Sequence, residues 1–229
     1  MSKKLIALTG SGISAESGIK TFRDQGGLWE DHDIMEVASP EGWEKDPDKV
    51  LRFYNDRKEQ LKNVEPNAAH EALAELEKAY EVHIITQNVD DLHERSGSRN
   101  VLHLHGELNK ARSSVDENLV YDWEGHIHMG EKCDKGSQIR PNVVWFGEMV
   151  PMMEPAARLT NEADIVMVIG TSMVVYPAAG LIQYAPAEAH KYVIDPNLPD
   201  LPYMPNLHTE EAKASEGVPK VAKELLAKN

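Results

Sequence analysis

The stretch Leu5-Ile6-Ala7-Leu8-Thr9-Gly10-Ser11-Gly12-Ile13-Ser14-Ala15 constrains this chain more than any other. An apolar run of strand length ends in two glycines one residue apart, with small residues behind them. Such a junction reads as a buried strand turning directly into a helix. Glycine lets a ligand approach the backbone, and a helix start offers unpaired N–H groups with partial positive charge. Ser11 or Ser14 is the expected cap of that helix. Gly10-x-Gly12-x-x-Ala15 also fits the dinucleotide fingerprint in its Gly/Ala form. The sequel of a hydride-transfer enzyme is missing, because Gly18 interrupts early. Phe22-Arg23-Asp24-Gln25-Gly26-Gly27-Leu28-Trp29 then reads as an irregular loop carrying an aromatic and a cation. The expectation is a phosphate-binding turn for a nucleotide, with an ordinary tight strand-to-helix turn as the alternative.

Further apolar runs at 82–86, 101–104, 165–169 and 192–194 have the look of buried parallel strands. Helical patterns separate them at 68–79, 154–162, 178–185 and 220–226. Strands alternating with helices predict an α/β fold with a parallel sheet. Two stretches break the alternation. Residues 29–67 contain no strong strand but a helical pattern at 47–63. Residues 109–140 are polar and punctuated by Gly125, Gly130 and Gly136. Both read as insertions that form a smaller module beside the sheet. A chain of 229 residues can bury a core of this kind.

With 24 basic against 38 acidic residues the net charge is −14, which argues against nucleic acid and anionic membranes as partners. No run approaches the length of a membrane span, and the single Cys133 excludes an internal disulfide. A cytoplasmic location is the expectation.

Ligands of open α/β sheets bind beyond the carboxyl ends of the strands. Polar or glycine-rich clusters fall there at Gly10–Gly12, Gln87-Asn88-Val89-Asp90, His105-Gly106-Glu107 and Gly170-Thr171-Ser172. Gln87, Asn88 and Asp90 suit ribose hydroxyls or a carboxamide, although an Asn/Asp cluster after a strand is often only a turn. His105 sits where a strand meets glycine and suits a general base. His103 reads as a hydrogen-bonded core histidine. No serine elbow is present, and Cys133 has no base placed beside it, so nucleophilic catalysis is not indicated.

In this order and combination the clusters resemble the sirtuin family of NAD-dependent protein lysine deacylases. The matching blocks run from Gly10 through Ser11, Gly12, Ile13, Ser14, Ala15 and Glu16 to Thr21-Phe22-Arg23. They continue with Thr86-Gln87-Asn88-Val89-Asp90, His103-Leu104-His105-Gly106-Glu107, Val144-Trp145-Phe146-Gly147-Glu148 and Gly170-Thr171-Ser172. The resemblance is closest to bacterial members that remove acidic acyl groups. It implies a Rossmann-like domain of residues 1–28, 68–108 and 141–229, with a small domain from the insertions 29–67 and 109–140.

The resemblance also implies roles. Gly10, Ser11, Gly12, Ile13, Ala15, Glu16, Thr21, Phe22, Arg23 and Trp29 would surround the NAD phosphates and the nicotinamide side. Gln87, Asn88 and Asp90 would hold the nicotinamide ribose and carboxamide. Gly170, Thr171 and Ser172 would contact the adenosine half, with Asp195, Pro196 and Asn197 at the adenine ribose and Ala214 near the adenine. The sequence reads Asp-Pro-Asn where the family more often has asparagine followed by proline. Val144, Trp145, Phe146, Gly147 and Glu148 would pair with an extended peptide by strand addition. His105 would be the catalytic base of a reaction that consumes NAD and yields free lysine, nicotinamide and an acylated ADP-ribose.

Tyr54 and Arg57, three residues apart on one helix face, match the family's pair for succinyl- and malonyl-lysine. On spacing alone they read as a core-covering tyrosine and a solvated arginine. One departure is large: the family typically holds a structural zinc with two cysteine pairs, and this chain has only Cys133. His126, His128 and Asp134 complete no recognised spacing, so no metal is expected. Mono-ADP-ribosyl transfer and a non-catalytic NAD sensor remain as rival functions.

Overall fold

The computed structural model describes residues 2–20, 28–29, 32–171, 178–198, 201 and 203–228. Thr21, Phe22, Arg23 and Ser172 lie outside these, and of Trp29 only the backbone is described. In chain order the strands are β1 (Lys4–Thr9), β2 (Leu28–Trp29), β3 (His32–Asp33), β4 (Glu81–Thr86), β5 (Val101–His103), β6 (Gly106–Ser113), β7 (Val120–Asp122), β8 (Ile139–Val143), β9 (Ile165–Ile169), β10 (His190–Ile194) and β11 (Leu207–Glu210). The helices are α1 (Ser11–Ser14), α2 (Ile34–Val37), α3 (Pro40–Lys45), α4 (Pro47–Lys62), α5 (Ala68–Leu76), α6 (Leu92–Arg95), α7 (Met153–Asn161) and α8 (Ala214–Ala227).

Six of these strands form a parallel sheet in the order β11-β10-β9-β1-β4-β5. The chain builds outward from β1 to β5, then returns to β9 and builds the other way. That doubly wound, Rossmann-like order leaves a crevice between β1 and β9, where the direction of winding reverses. The inner strands β1, β4, β9 and β10 are largely buried on both faces, as parallel strands require. In β1, Leu5 and Ala7 join a core with α5 and α8, while Ile6 and Leu8 join the opposite core with α7.

Two excursions leave this framework. Helices α2 to α4 follow the small β2–β3 hairpin, and β6, β7 and β8 make an antiparallel sheet in the order β7-β6-β8. The excursions share cores: Val50, Phe53 and Tyr54 of α4 meet Leu108, Val143 and Trp145, while Leu51 meets Ala111, Ile127, Cys133 and Ile139. Helix α4 starts on the Asp46 side chain, which accepts from Lys49 N at 2.9 Å, with Pro47 at its first position.

The five expected sheet strands form, and β11 joins them at the edge. Residues 178–184 form a 3-10 helix rather than an α-helix. Strand β7 and parts of β6 and β8 lie within the polar stretch 109–140. Helix α8 begins six residues before its legible part, because Gly217 and Pro219 disguise its first turns. Among the described residues no helix is long and apolar enough to cross a membrane.

Candidate active site

The crevice opens where β1 and β9 end. Gly12 N donates to Gly170 O at 2.8 Å, and a Cβ on Gly12 would lie 2.6 Å from Gly170 Cα. Gly170 has φ +58°, and its own Cβ would lie 2.5 Å from Ile13 N. Only residues without side chains permit this backbone contact. Helix α1 is a single turn with Gly10 as its N-cap and no side-chain cap, so the expected serine cap is not made. Ser14 is instead fully buried and turned toward the end of β4, where its Oγ accepts from Asn88 Nδ2 at 3.0 Å. Ile13 is in the sheet core, so its side chain is a core group rather than part of the crevice.

Gly10, Ser11, Ser14, Gln87, Asn88, Asp90, His105, Gly170 and Thr171 line one side of a cleft of about 290 Å³. Gln87 Nε2 donates to Thr171 Oγ1 at 3.1 Å, bridging the two ends of the crevice. The His105 Nδ1 faces Gln87 O at 3.0 Å. A carbonyl only accepts, so Nδ1 carries the proton and Nε2 keeps a lone pair. Burial lowers the His105 pKa, with the Gln87 carbonyl pulling weakly the other way. The ring is therefore neutral and basic at Nε2.

His103, two residues earlier, is the opposite case. Its Nδ1 faces Asn88 O at 2.9 Å and its Nε2 faces Glu94 Oε1 at 2.8 Å. Burial opposes its charge, but the Glu94 carboxylate and the Asn88 carbonyl outweigh that and raise its pKa. It is a positioned, hydrogen-bonded group, as the sequence suggests. Asp90 is buried, and desolvation pushes its carboxyl up to about 6 against the hydrogen bonds from Leu92 and Ser14 and the charge of His103.

Sequence reasoning missed the layer beneath. Thr9 Oγ1 contacts His93 Nε2 at 3.0 Å, the His70 and His93 rings lie 4.9 Å apart, and His70 Nε2 lies 3.5 Å from Ser14 Oγ. Burial lowers the His70 pKa to about 4 and takes His93 well below its usual value, so both are neutral. No spacing in the sequence links these residues.

The facing wall includes Tyr54, Arg57, Gln60, Val144, Trp145, Phe146, Gly147 and Glu148. The structure thus brings Tyr54 and Arg57 to the same cleft as His105. Tyr54 is buried, accepts from Trp145 Nε1 at 3.0 Å, and has its pKa raised by desolvation, so it stays a phenol. The Arg57 guanidinium lies over the Phe53 ring, 4.4 Å from its centroid.

Residues 144–148 form a turn rather than a strand. The amides of Val144, Trp145, Phe146 and Glu148 already donate, to His105 O, Glu148 Oε2, Ala38 O and Trp145 O respectively. The donors and acceptors this run keeps for an extended peptide are therefore those of the Gly147 backbone and the carbonyls. Glu148 is a brace: Arg112 and Arg140 reach its carboxylate at 2.9 and 2.8 Å, and Arg140 stacks on Trp145.

Glu16, Ala214 and residues 195–197 lie outside the lining of this cleft. Glu16 accepts from Ser215 N at 3.0 Å and so ties the crevice turn to α8, where Ala214 is buried. Asp195 accepts from Asn197 N at 2.9 Å, making a turn past β10 that leaves Pro196 and Asn197 exposed.

Comparison with known proteins settles the relationship. The Sir2 family matches residues 10–177. The chain belongs to the Sir2 family. An NAD-dependent protein deacylase of Helicobacter pylori strain J99 is 60% identical over 194 residues, covering 85% of this chain and 83% of that one. One from Bacteroides thetaiotaomicron is 52% identical and covers 98% of both chains. A solved Sir2 homologue–NAD complex superposes with TM-score 0.88 at 43% identity, covering 99% of this chain and 91% of that one. A Sir2–p53 peptide–NAD+ complex gives 0.77 at 28% identity, covering 99% and 95%.

The zinc that the Sir2 resemblance implies does not fit the residues present. Cys133 Sγ lies 3.0 Å from Ser137 Oγ, which lies 2.8 Å from Ser113 Oγ. The Lys135–Asp116 ion pair, at 2.6 Å, joins the same two turns. Hydroxyls and one thiol are not a structural zinc donor set, and among the described residues no three His, Cys, Asp or Glu converge as a metal site. Treatment with a chelator is expected to leave melting temperature and activity unchanged, as measured by thermal melts and metal analysis; stoichiometric zinc in purified protein would disprove this.

A second expectation concerns Asp90. Its raised pKa means the fold favours the protonated form, so its stabilising contribution is complete below 3.8 and lost as pH rises through about 6. Asp90→Asn should gain on the order of 3 kcal/mol relative to wild type between pH 4 and pH 7.5, read from denaturant melts at both pH values. An equal gap at both would remove the carboxylate as the cause.

Proposed function

We infer that this chain is an NAD-dependent protein lysine deacylase whose cleft accepts acidic acyl groups as well as acetyl. The observation that carries it is His105, neutral and basic at Nε2, in one cleft with Asn88, Asp90 and the Gly10–Gly12 turn of a Sir2-family chain. NAD supplies an electrophilic ribose carbon with nicotinamide as its leaving group. The chain's own residues bind, orient and move the proton. Gly10, Ser11, Gly12 and Ala15 hold the phosphates, while Gly170, Thr171 and the 195–197 turn serve the adenosine half with Ala214 beyond it. Asn88 and Asp90 orient the reacting ribose, and His105 Nε2 takes a proton from its hydroxyl. In this reading these groups belong to a Rossmann-like domain of 1–28, 68–108 and 141–229, while Tyr54 and Arg57 belong to a small domain of 29–67 and 109–140.

Tyr54 and Arg57 support the acidic-acyl part. A guanidinium fork beside a buried phenol is a receptor for a small carboxylate. The protein or peptide substrate would enter past Phe146 and Gly147. The fold and the acidic composition are in keeping with action in the cytoplasm, away from nucleic acid and membranes.

His105→Ala should lower NAD-dependent deacylation by about 10² to 10⁴-fold while NAD binding persists, measured by product mass analysis and calorimetry. Full activity in that variant, or ADP-ribosylated protein formed without an acyl group, would overturn the reaction assigned. Arg57→Met should cut kcat/KM for succinyl-lysine peptides roughly ten- to a hundredfold, with a far smaller loss on acetyl-lysine. Equal losses on both would make Arg57 a structural residue and leave the NAD chemistry standing. Tyr54→Phe should follow the same pattern more weakly.

A further inference from the structure

Helix α4 presents Tyr54 and Arg57 to the cleft, and the neighbouring face of the same helix is gripped by a loop far from the chemistry. Asn55 is buried and pairs with the Ile127 backbone like a strand: its Nδ2 donates to Ile127 O at 3.0 Å, and its Oδ1 accepts from Ile127 N at 2.9 Å. Three residues on, the buried Lys58 Nζ donates to Trp123 O at 2.6 Å and to Gly125 O at 2.9 Å. Glu59 adds a surface contact to His126 at 2.8 Å. Burying an amide and an ammonium is costly unless each is satisfied, and here both are satisfied by backbone atoms of one loop.

This grip fixes how α4 is rotated about its axis. Side-chain tips lie roughly 5–6 Å from a helix axis, so a rotation of about 20° would carry them about 2 Å sideways. A carboxylate held by an arginine fork tolerates little such displacement. The groups at the ribose are insulated from it, because Asn88, Asp90 and His105 follow the sheet strands β4 and β5.

We propose that Asn55 and Lys58 are positioning residues for acyl selectivity, setting through the 123–128 loop the angle at which Tyr54 and Arg57 meet the acyl group. This rests on the acidic-acyl reading above. The test is steady-state kinetics of the full chain on matched succinyl-lysine and acetyl-lysine peptides at saturating NAD. Asn55→Ala and Lys58→Met should each raise KM for the succinyl peptide about tenfold or more, with kcat within about twofold. The succinyl-to-acetyl ratio of kcat/KM should fall accordingly, and Lys58→Arg, which keeps a donor, should restore it. If Asn55→Ala fails to fold, Asn55→Ser keeps one hydrogen bond to Ile127 and takes its place. Parallel losses on both peptides, or an unchanged ratio, would overturn the proposal. Arg57→Met run alongside separates the two layers: a ratio that falls there but not in the Asn55 and Lys58 variants defeats this inference alone. A ratio unmoved by Arg57→Met defeats the acidic-acyl reading, and this proposal with it.

Discussion

Gly12 and Gly170 meet backbone to backbone at the reversal of the sheet, and the rest of the site is arranged from that contact. Sheet register does the arranging. Thr9 stands opposite Thr86 on one side and Ile169 on the other, and Ile169 stands opposite Ile194. The next residues along, Gly10, Gln87, Gly170 and Asp195, therefore emerge at one level. Thr86 is also level with His103, which puts His105 just beyond the same edge. A flexible loop could not hold four segments at a common height, whereas parallel ladders do so with no further device.

Charge is sorted sharply over short distances. His103 and His105 share a strand region yet are driven in opposite directions, one by a carboxylate and the other by burial beside a carbonyl. Below them Thr9, Ser14, His70 and His93 form a neutral polar layer. Hydrogen bonding without net charge holds Asn88 and Ser14 in place without adding a field of its own at the crevice.

The sequence made the parallel sheet legible because its inner strands are buried on both sides and read as continuous apolar runs. It made β11 illegible because Leu207-His208-Thr209-Glu210 is a short, mostly exposed edge strand. Strands β6 to β8 were hidden by Lys110, Arg112 and Arg140, whose charges break the alternation although Arg112 and Arg140 are buried on Glu148. Within the site, the glycine turn, the Gln87–Asp90 cluster and His105 were readable from their places at strand ends. Tyr54 and Arg57 needed the family resemblance. Asn55 and Lys58 could not be found at all, since a residue whose partners are backbone atoms leaves no complementary side chain in the sequence.

The Gly12–Gly170 contact also divides the cleft into two kinds of surface. At that contact main chain is pressed against main chain, so adding a side chain there blocks the groove instead of reshaping it. The other wall, from α4 to the 144–148 turn, is made of tyrosine, arginine, tryptophan and phenylalanine, whose size and charge can be varied one at a time. The turn at the sheet reversal thus has an alphabet of one letter, and selectivity is left to the side that has twenty.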